Sequence, residues 1–333
     1  MRSIHLGIRF RSSMSELYSR DKMSIVGHAI EVLCRGGLVA FPTETVYGLG
    51  ADARRSSAVQ KIFRAKGRPA TNPLIVHVEG KDSARRFTTA WPRSADILAD
   101  AFWPGALTLV LPKGNLIVPD ATAGRSTVGL RAPNHPLALE LLKAFDGPIA
   151  APSANRSNHL SPTTAEHVRA ELGDAVDLIL DGGPCQVGIE STVLDLSSDR
   201  PTILRPGSIT RDQIEAHIGP VEIFAGSVDV KIAAVSPGQQ ERHYAPRTPA
   251  FRFDGSPPAE ENVGVVLMGT VLHRRNINCF EMPTGAADYA KHLYAVLREL
   301  DEMGLSAIYI QMPPDAPEWA AVRDRIIRGT TPS

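Results

Sequence analysis

"KGRPATNPLIVHV", residues 66–78, runs from two cations through a proline turn into an apolar stretch broken by one histidine. Upstream, Val59, Ile62 and Phe63 share one face of a helix that Ser56 or Ser57 is placed to cap. Gly67 is expected to end that helix in the left-handed conformation open to glycine. Leu74 to Val78 then reads as a strand buried on both faces, since such strands are near-continuous apolar runs. A helix that stops at a glycine and hands the chain to a buried strand is a unit of an α/β sheet. Lys66 and Arg68 stand at that handover, and in α/β sheets ligands sit at the ends of strands.

The alternation continues on both sides of this stretch. A helix around residues 24–35 is expected to stop at Gly36-Gly37 before the strand "LVAF". "FWPGALTLVLP" (102–112) reads as a turn plus strand, and Asn134 is placed to cap a helix carrying Ala138, Leu141, Leu142 and Phe145. "PIAAPSA" (148–154) follows as a strand, and Thr163 with Glu166 has capping-box spacing before Val168 and Leu172. "TVLDL" and "TILR" read as a hairpin, and Thr210 with Gln213 gives a further capping box. The pattern breaks over residues 222–249, whose "SPGQQERHYAPRTP" is turn-rich and polar like a linker. Beyond it, "VGVVLM", a helix face of Leu293, Val296, Leu297 and Leu300, "AIYI" and a last helix from Pro317 to Arg328 predict a small βαβ unit. The organisation expected is a disordered extension over 1–22, a main α/β domain with a mixed sheet over 23–221, a linker over 222–249 and a smaller α/β domain over 250–333.

Composition sets the outer bounds. A chain of 333 residues exceeds what one core usually serves. Its 36 basic and 36 acidic residues balance, which argues against gross electrostatic capture of nucleic acid but leaves a local basic cleft open. Cys34, Cys185 and Cys279 are scattered and odd in number, so neither a disulfide framework nor a paired-cysteine metal site is expected. No apolar run approaches a membrane span, and a cytoplasmic location is the expectation.

Motifs exclude several chemistries. "GLGADA" (48–53) imitates a dinucleotide fingerprint, but six residues separate it from its strand where an immediate turn is needed. A P-loop, HExxH and GxSxG are absent. What remains is a set of cations, hydroxyls and amides near predicted element ends: Thr43-Glu44-Thr45, Lys66, Arg68, Asn72, "STVGLR" (126–131), "SANRS" (153–157), Ser161, "GIEST" (188–192) and "RPGS" (205–208). Such donors suit a phosphate, with guanidinium and ammonium groups neutralising charge and hydroxyl or N–H groups filling the oxygens. That inventory points to phosphoryl or nucleotidyl transfer, where catalysis is mostly positioning and charge stabilisation. Taken singly, Lys66 could simply complement a helix dipole and His77 could be a satisfied core histidine. Glu190 is open between a surface acid, a metal ligand and a support for its neighbours.

In order along the chain, "FPTETVYGLGADA", "KGRPATNPLIVHV", "FWPGALTLVL", "STVGLRAPNHP", "APSANRSNHLSPT", "GIESTVLDL", "LRPGSIT" and "SPGQQERHYAP" resemble the threonylcarbamoyl-AMP synthase family with its YrdC-like domain. The resemblance covers about residues 24–250, and the later βαβ segment resembles the additional domain of the family's longer form. It implies a twisted sheet with a large concave cleft and a small Rossmann-like C-terminal domain. It also implies ATP, L-threonine and bicarbonate as substrates, Mg²⁺ with the ATP, and a separate transferase that delivers the product to tRNA. Lys66 and Arg68 are then the catalytic cations. Arg68, Asn72, Thr127, Ser153, Asn155, Ser161, Arg205, His243 and Tyr244 would contact ATP. Thr45, His77, Arg131, Ala151 and Ser191 would contact threonine. Two departures stand out: Gln239-Gln240-Glu241 replaces a Met-Lys-Tyr-like stretch, and Ala106 stands where a second proline is common. The competing reading is a non-enzymatic module that binds RNA in the same basic cleft.

Overall fold

The computed structural model describes residues 25–224, 243–256, 260–269 and 277–333. A helix over residues 25–34 (α1) leads into β1 (Val39–Phe41), which pairs antiparallel with β2 (Gly48–Asp52). Then come α2 (Ser56–Lys66), β3 (Ile75–His77), the short α3 (Lys81–Arg85), α4 (Arg93–Phe102), β4 (Leu107–Pro112) and β5 (Thr127–Arg131). The first unit is completed by α5 (Pro136–Phe145), β6 (Ile149–Ala150), α6 (Ala165–Leu172), β7 (Leu178–Ile179), β8 (Thr192–Asp195), β9 (Thr202–Arg205), α7 (Arg211–Ile218) and β10 (Glu222–Ile223). Its strands form one mixed sheet in the order β10-β9-β8-β4-β5-β3-β6-β2-β1-β7.

Strand periodicity explains the histidine in the apolar run. Val76 joins the core that α2 and α4 cover, with Leu109 and Leu130 beside it. Ile75 and His77 therefore face the other side of the sheet, where Ile75, Val110, Val193 and Leu204 form a small apolar floor. β3 lies between β5 and β6, with His77 in register with Arg131 on one side and Ile149 on the other. The helix stop at Gly67 has φ 61°, and its N–H bonds back to Arg64 and Phe63 carbonyls. Arg68 leaves the helix there.

Helix starts deviate from expectation by one residue in three cases. Arg55, in extended conformation, precedes α2, so Ser56 is the first helical residue and not the cap. Pro136 occupies the first position of α5 and its fixed φ moves the cap to His135, whose ring accepts from Leu137 N–H at 3.3 Å. Asn134 N–H is then free to bond Glu44 Oε2 at 3.0 Å. Thr164, not Thr163, caps α6. The reciprocal capping box of Thr210 and Gln213 forms as expected.

The C-terminal unit is larger than a βαβ. β11 (Ala250–Phe253), β12 (Val263–Met268), β13 (Ile277–Met282), α8 (Ala286–Glu302), β14 (Ala307–Gln311), α9 (Ala320–Gly329) and β15 (Thr331–Pro332) build a sheet in the order β13-β12-β14-β11-β15. Every pairing in it is parallel. At the other boundary, Glu222 and Ile223, expected in the linker, add β10 to the first sheet alongside β9. The readings made for residues 1–22 and for Gln239-Gln240-Glu241 lie outside the described residues. No helix of the described residues is long and apolar enough to cross a membrane.

Candidate active site

A cavity of about 540 Å³, counting the space at its mouth, opens on the His77 face of the sheet. Ten of the residues given a substrate contact by the resemblance line it: Thr45, Arg68, His77, Arg131, Ala151, Ser153, Ser191, Arg205, His243 and Tyr244.

At one end, the Arg131 guanidinium is held on three sides. Its Nε donates to Gly105 O at 3.1 Å and Nη1 donates to Thr45 Oγ1 at 2.9 Å. Nη2 sits 2.7 Å from Glu44 Oε1, a charge contact that lies off the hydrogen-bonding axis. Thr45 is fixed in turn by Thr43, whose hydroxyl meets it at 2.8 Å and donates to Val46 O. Beside this fork, His77 Nδ1 has no hydrogen-bond partner. Burial, and then the Arg131 charge, push the His77 pKa down to about 3, so its ring is uncharged at neutral pH.

At the other end Arg68 has fewer partners. Arg68 is buried, donates from Nη2 to Pro73 O at 3.1 Å and leaves Nε without a partner. Burial, opposed by Tyr244 and reinforced by Arg205, brings its pKa down to about 10. Asn72 is buried with neither end of its amide bonded, and it stands behind the cavity wall, not in it. Arg205 clamps the opposite wall, donating from Nε and Nη2 to Ser191 O at 3.1 and 2.9 Å and from Nη2 to Ser191 Oγ at 3.2 Å. Ser191 Oγ also meets Thr108 Oγ1 at 2.8 Å. His243 and Tyr244 cross this end, both buried, with Tyr244 at φ 59°, a region that residues with a side chain rarely adopt.

The remaining sequence-predicted residues stand back from the cavity wall. The Lys66 ammonium donates to Ser153 O at 2.6 Å and to Asn155 O, which fastens the 153–155 loop to the end of α2. Burial, and then Arg68, hold its pKa well below the usual lysine range. Asn155 bonds Arg156 O and His159 O, and Ser161 donates to Glu190 Oε1. Thr127 lines a second hollow that shares Ile75 with the first and also meets Thr108, Val193 and Arg125.

Two families of sequence features converge on this chain. Residues 31–207 match the Sua5_yciO_yrdC model, described as telomere recombination. Residues 209–330 match the model described as threonylcarbamoyl-AMP synthase, C-terminal domain. The chain belongs to the threonylcarbamoyl-AMP synthase family. It is 41% identical over 333 residues to the Bacillus subtilis threonylcarbamoyl-AMP synthase, covering 94% of each chain. It is 39% identical to the Pyrococcus abyssi threonylcarbamoyl-AMP synthase, over 87% of this chain and 89% of the other. The solved structure of P. abyssi Sua5 complexed with L-threonine superposes with a TM-score of 0.85 at 36% identity, covering 93% of this chain and 96% of that one.

In this family member, further residues of the wall and behind it had no settled role in the sequence reading. Thr43 lines the cavity and steadies Thr45, and Glu44, behind the wall, pairs with Arg131; both lay in a flagged cluster without an assigned part. Glu190 lines the cavity and pairs with Arg325 at 2.7 Å, a residue that no sequence feature distinguished from the other arginines of its helix.

Proposed function

We propose that this chain is an L-threonylcarbamoyladenylate synthase, a nucleotidyltransferase that joins L-threonine, bicarbonate and ATP and releases pyrophosphate. One observation carries the reading: a single cavity holds a pre-set guanidinium fork at one end and buried donors without partners at the other. A carboxylate suits the fork. A polyphosphate suits the Arg68 end, because buried polar groups are normally bonded and an anion there would satisfy Arg68 Nε.

In this arrangement Arg131 takes the threonine carboxylate, with Thr45, Ser191 and the Ala151 backbone around the amino acid. His77, uncharged, faces the amine without competing for it as a cation would. The amine adds to bicarbonate with loss of water to give a carbamate. A carbamate oxygen attacks the α-phosphorus, the bond to the bridging oxygen breaks, and pyrophosphate leaves. Arg68 stabilises the charge gathering on that leaving group, and Lys66 adds positive potential from behind the Ser153 loop. Arg205, His243, Tyr244 and Ser153 enclose the nucleotide, with Thr127 at the second hollow and Asn72 behind the wall.

Among the described residues no group of three His, Cys, Asp or Glu could hold a metal ion. Glu44 and Glu190 are already paired with Arg131 and Arg325. The residues present do not form a resident metal site, so we assign Mg²⁺ to the substrate, arriving on the phosphates of ATP. The product passes to a tRNA threonylcarbamoyl transferase, and any RNA contact by this chain is weak. Mass spectrometry of a reaction containing labelled bicarbonate tests the assignment. A labelled threonylcarbamoyl-adenylate supports it; an unlabelled threonyl-adenylate, or ATP left intact, would reject it.

A further inference from the structure

The C-terminal unit reaches two loops behind the cavity wall through α9. Arg325 is completely buried, with 0% of its side chain exposed, and it touches two loops of the first unit at once. Its Nε donates to Glu190 Oε2 at 2.7 Å and its Nη2 donates to Pro206 O at 3.1 Å. Those loops present Ser191 and Arg205, each one residue away, to the cavity. The Arg325 guanidinium also lies 4.8 Å from the centre of the Tyr244 ring. Tyr294, from α8, donates to Glu190 Oε2 at 3.1 Å, so both helices converge on one carboxylate. Burial alone would raise the Glu190 pKa, but Arg325, Arg205 and the Ser161 hydroxyl outweigh it and hold it at about 2.

The contact surface is built for close approach. A Cβ on Gly188 would come within 2.5 Å of Lys291 Cα, so the "GIEST" loop lies directly on the α8 backbone. Gly188 has φ 81°, which also favours glycine. A Cβ on Gly329 would meet Tyr244 O at 2.7 Å, and His243 N–H bonds Arg328 O at 3.1 Å. Val46, Leu160 and Ile189 belong to the same apolar cluster as Leu293, Leu297 and Ile326, which makes one continuous core across the two units.

We propose that Arg325 is a positioning residue for the reaction: supplied by the C-terminal unit, it clamps the Glu190 and Pro206 loops together and so sets Ser191 and Arg205 on the cavity wall. A pair that acted only as glue would be replaceable by neutral groups, because a buried ion pair is a weak source of net stability. Arg325 differs in that its Nη2 also bridges two backbones, Glu190 O at 3.4 Å and Pro206 O at 3.1 Å, and no neutral side chain at Glu190 restores the Pro206 contact.

The proposal rests on the synthase reading, and its test separates the two. R325Q, E190Q and E190Q/R325Q are made in the full chain. Melting temperature, the KM for L-threonine and for ATP, kcat by pyrophosphate release, and amide hydrogen exchange are measured on each. R325Q is expected to melt lower, since it strands a buried carboxylate. The double variant, with no stranded charge, is expected to recover most of that loss. It should nonetheless keep a threonine KM raised at least tenfold, and amides of residues 189–192 and 205–208 should exchange at least tenfold faster while those of β4 and β5 are unchanged. A threonine KM that returns to the parental value together with the melting temperature would reduce Arg325 to a structural residue and overturn the proposal. If the double variant does not fold, R325K keeps the charge and loses the fork; a raised threonine KM supports the clamp and an unchanged one overturns it. A parent that releases no pyrophosphate defeats the synthase reading alone, and the clamp then stands or falls on whether the two loops exchange faster.

Discussion

At the Arg131 end of the cavity the buried cation meets a partner on each side, with Glu44, Thr45 and Gly105 around the guanidinium. At the Arg68 end the guanidinium bonds one carbonyl and leaves Nε unbonded, and the neighbouring Asn72 amide is unbonded at both ends. The cation of the first end is matched by a buried carboxylate before any ligand arrives; that of the second has no carboxylate beside it among the described residues and leaves Nε for a ligand. A buried donor without an acceptor destabilises the empty protein, so the Arg68 end gives up stability that an anion restores on binding. The two ends should therefore respond in opposite senses when their cations are removed.

Arg131→Ala gives the largest effect on the fold. It leaves Glu44 buried without its cation, and breaking such a pair costs about 3–5 kcal/mol. Denaturant unfolding should show that loss, and threonine binding should disappear with it. Arg68→Ala is expected to cut kcat by about 10²–10³-fold, the usual result of removing a donor aimed at developing charge. Its melting temperature should be unchanged or higher, because no carboxylate is left alone. A destabilised R68A with normal turnover would erase the distinction between the two ends.

The smallest effect is on pH dependence. The His77 pKa is about 3 in the folded chain, against roughly 6.5 for an unperturbed histidine. Between those values the unfolded chain holds a proton that the folded chain does not, so stability falls as pH falls from about 6.5 towards 3. The slope for one such group is about 1.4 kcal/mol per pH unit. His167, whose pKa burial and then Arg298 lower to about 4, and His243, lowered by burial and then Arg68, act in the same direction. His77→Gln should make the acid limb of a stability–pH curve shallower by one proton. An unaltered limb would mean that His77 is charged in the folded state.

The contrast between the ends follows what could be read from residues alone. Lys66-Gly67-Arg68 was legible because a glycine stop is a local event, and the φ of 61° at Gly67 needs nothing beyond its neighbours. His77 facing the cleft follows from the period of two along a strand. Glu44 as the partner of Arg131, 87 positions away, depends on the pairing of strands from β1 across to β5, which no local pattern specifies. Arg325 on Glu190 depends on how two units dock. The cap at His135 was hidden because Pro136 at the first helical position overrides the more usual Asn134. In the C-terminal unit, "AFRF" (250–253) has half-exposed Phe251 and Arg252 between buried ends and so lacks strict alternation, although it pairs with both β14 and β15.

The most direct measurement is pyrophosphate release by the purified full chain with ATP and Mg²⁺, omitting L-threonine or bicarbonate in turn. The two-ended cavity predicts release only when both are present, since the nucleophile at the α-phosphorus is made from both. Release that continues without threonine, or no release with all components present, would contradict the account.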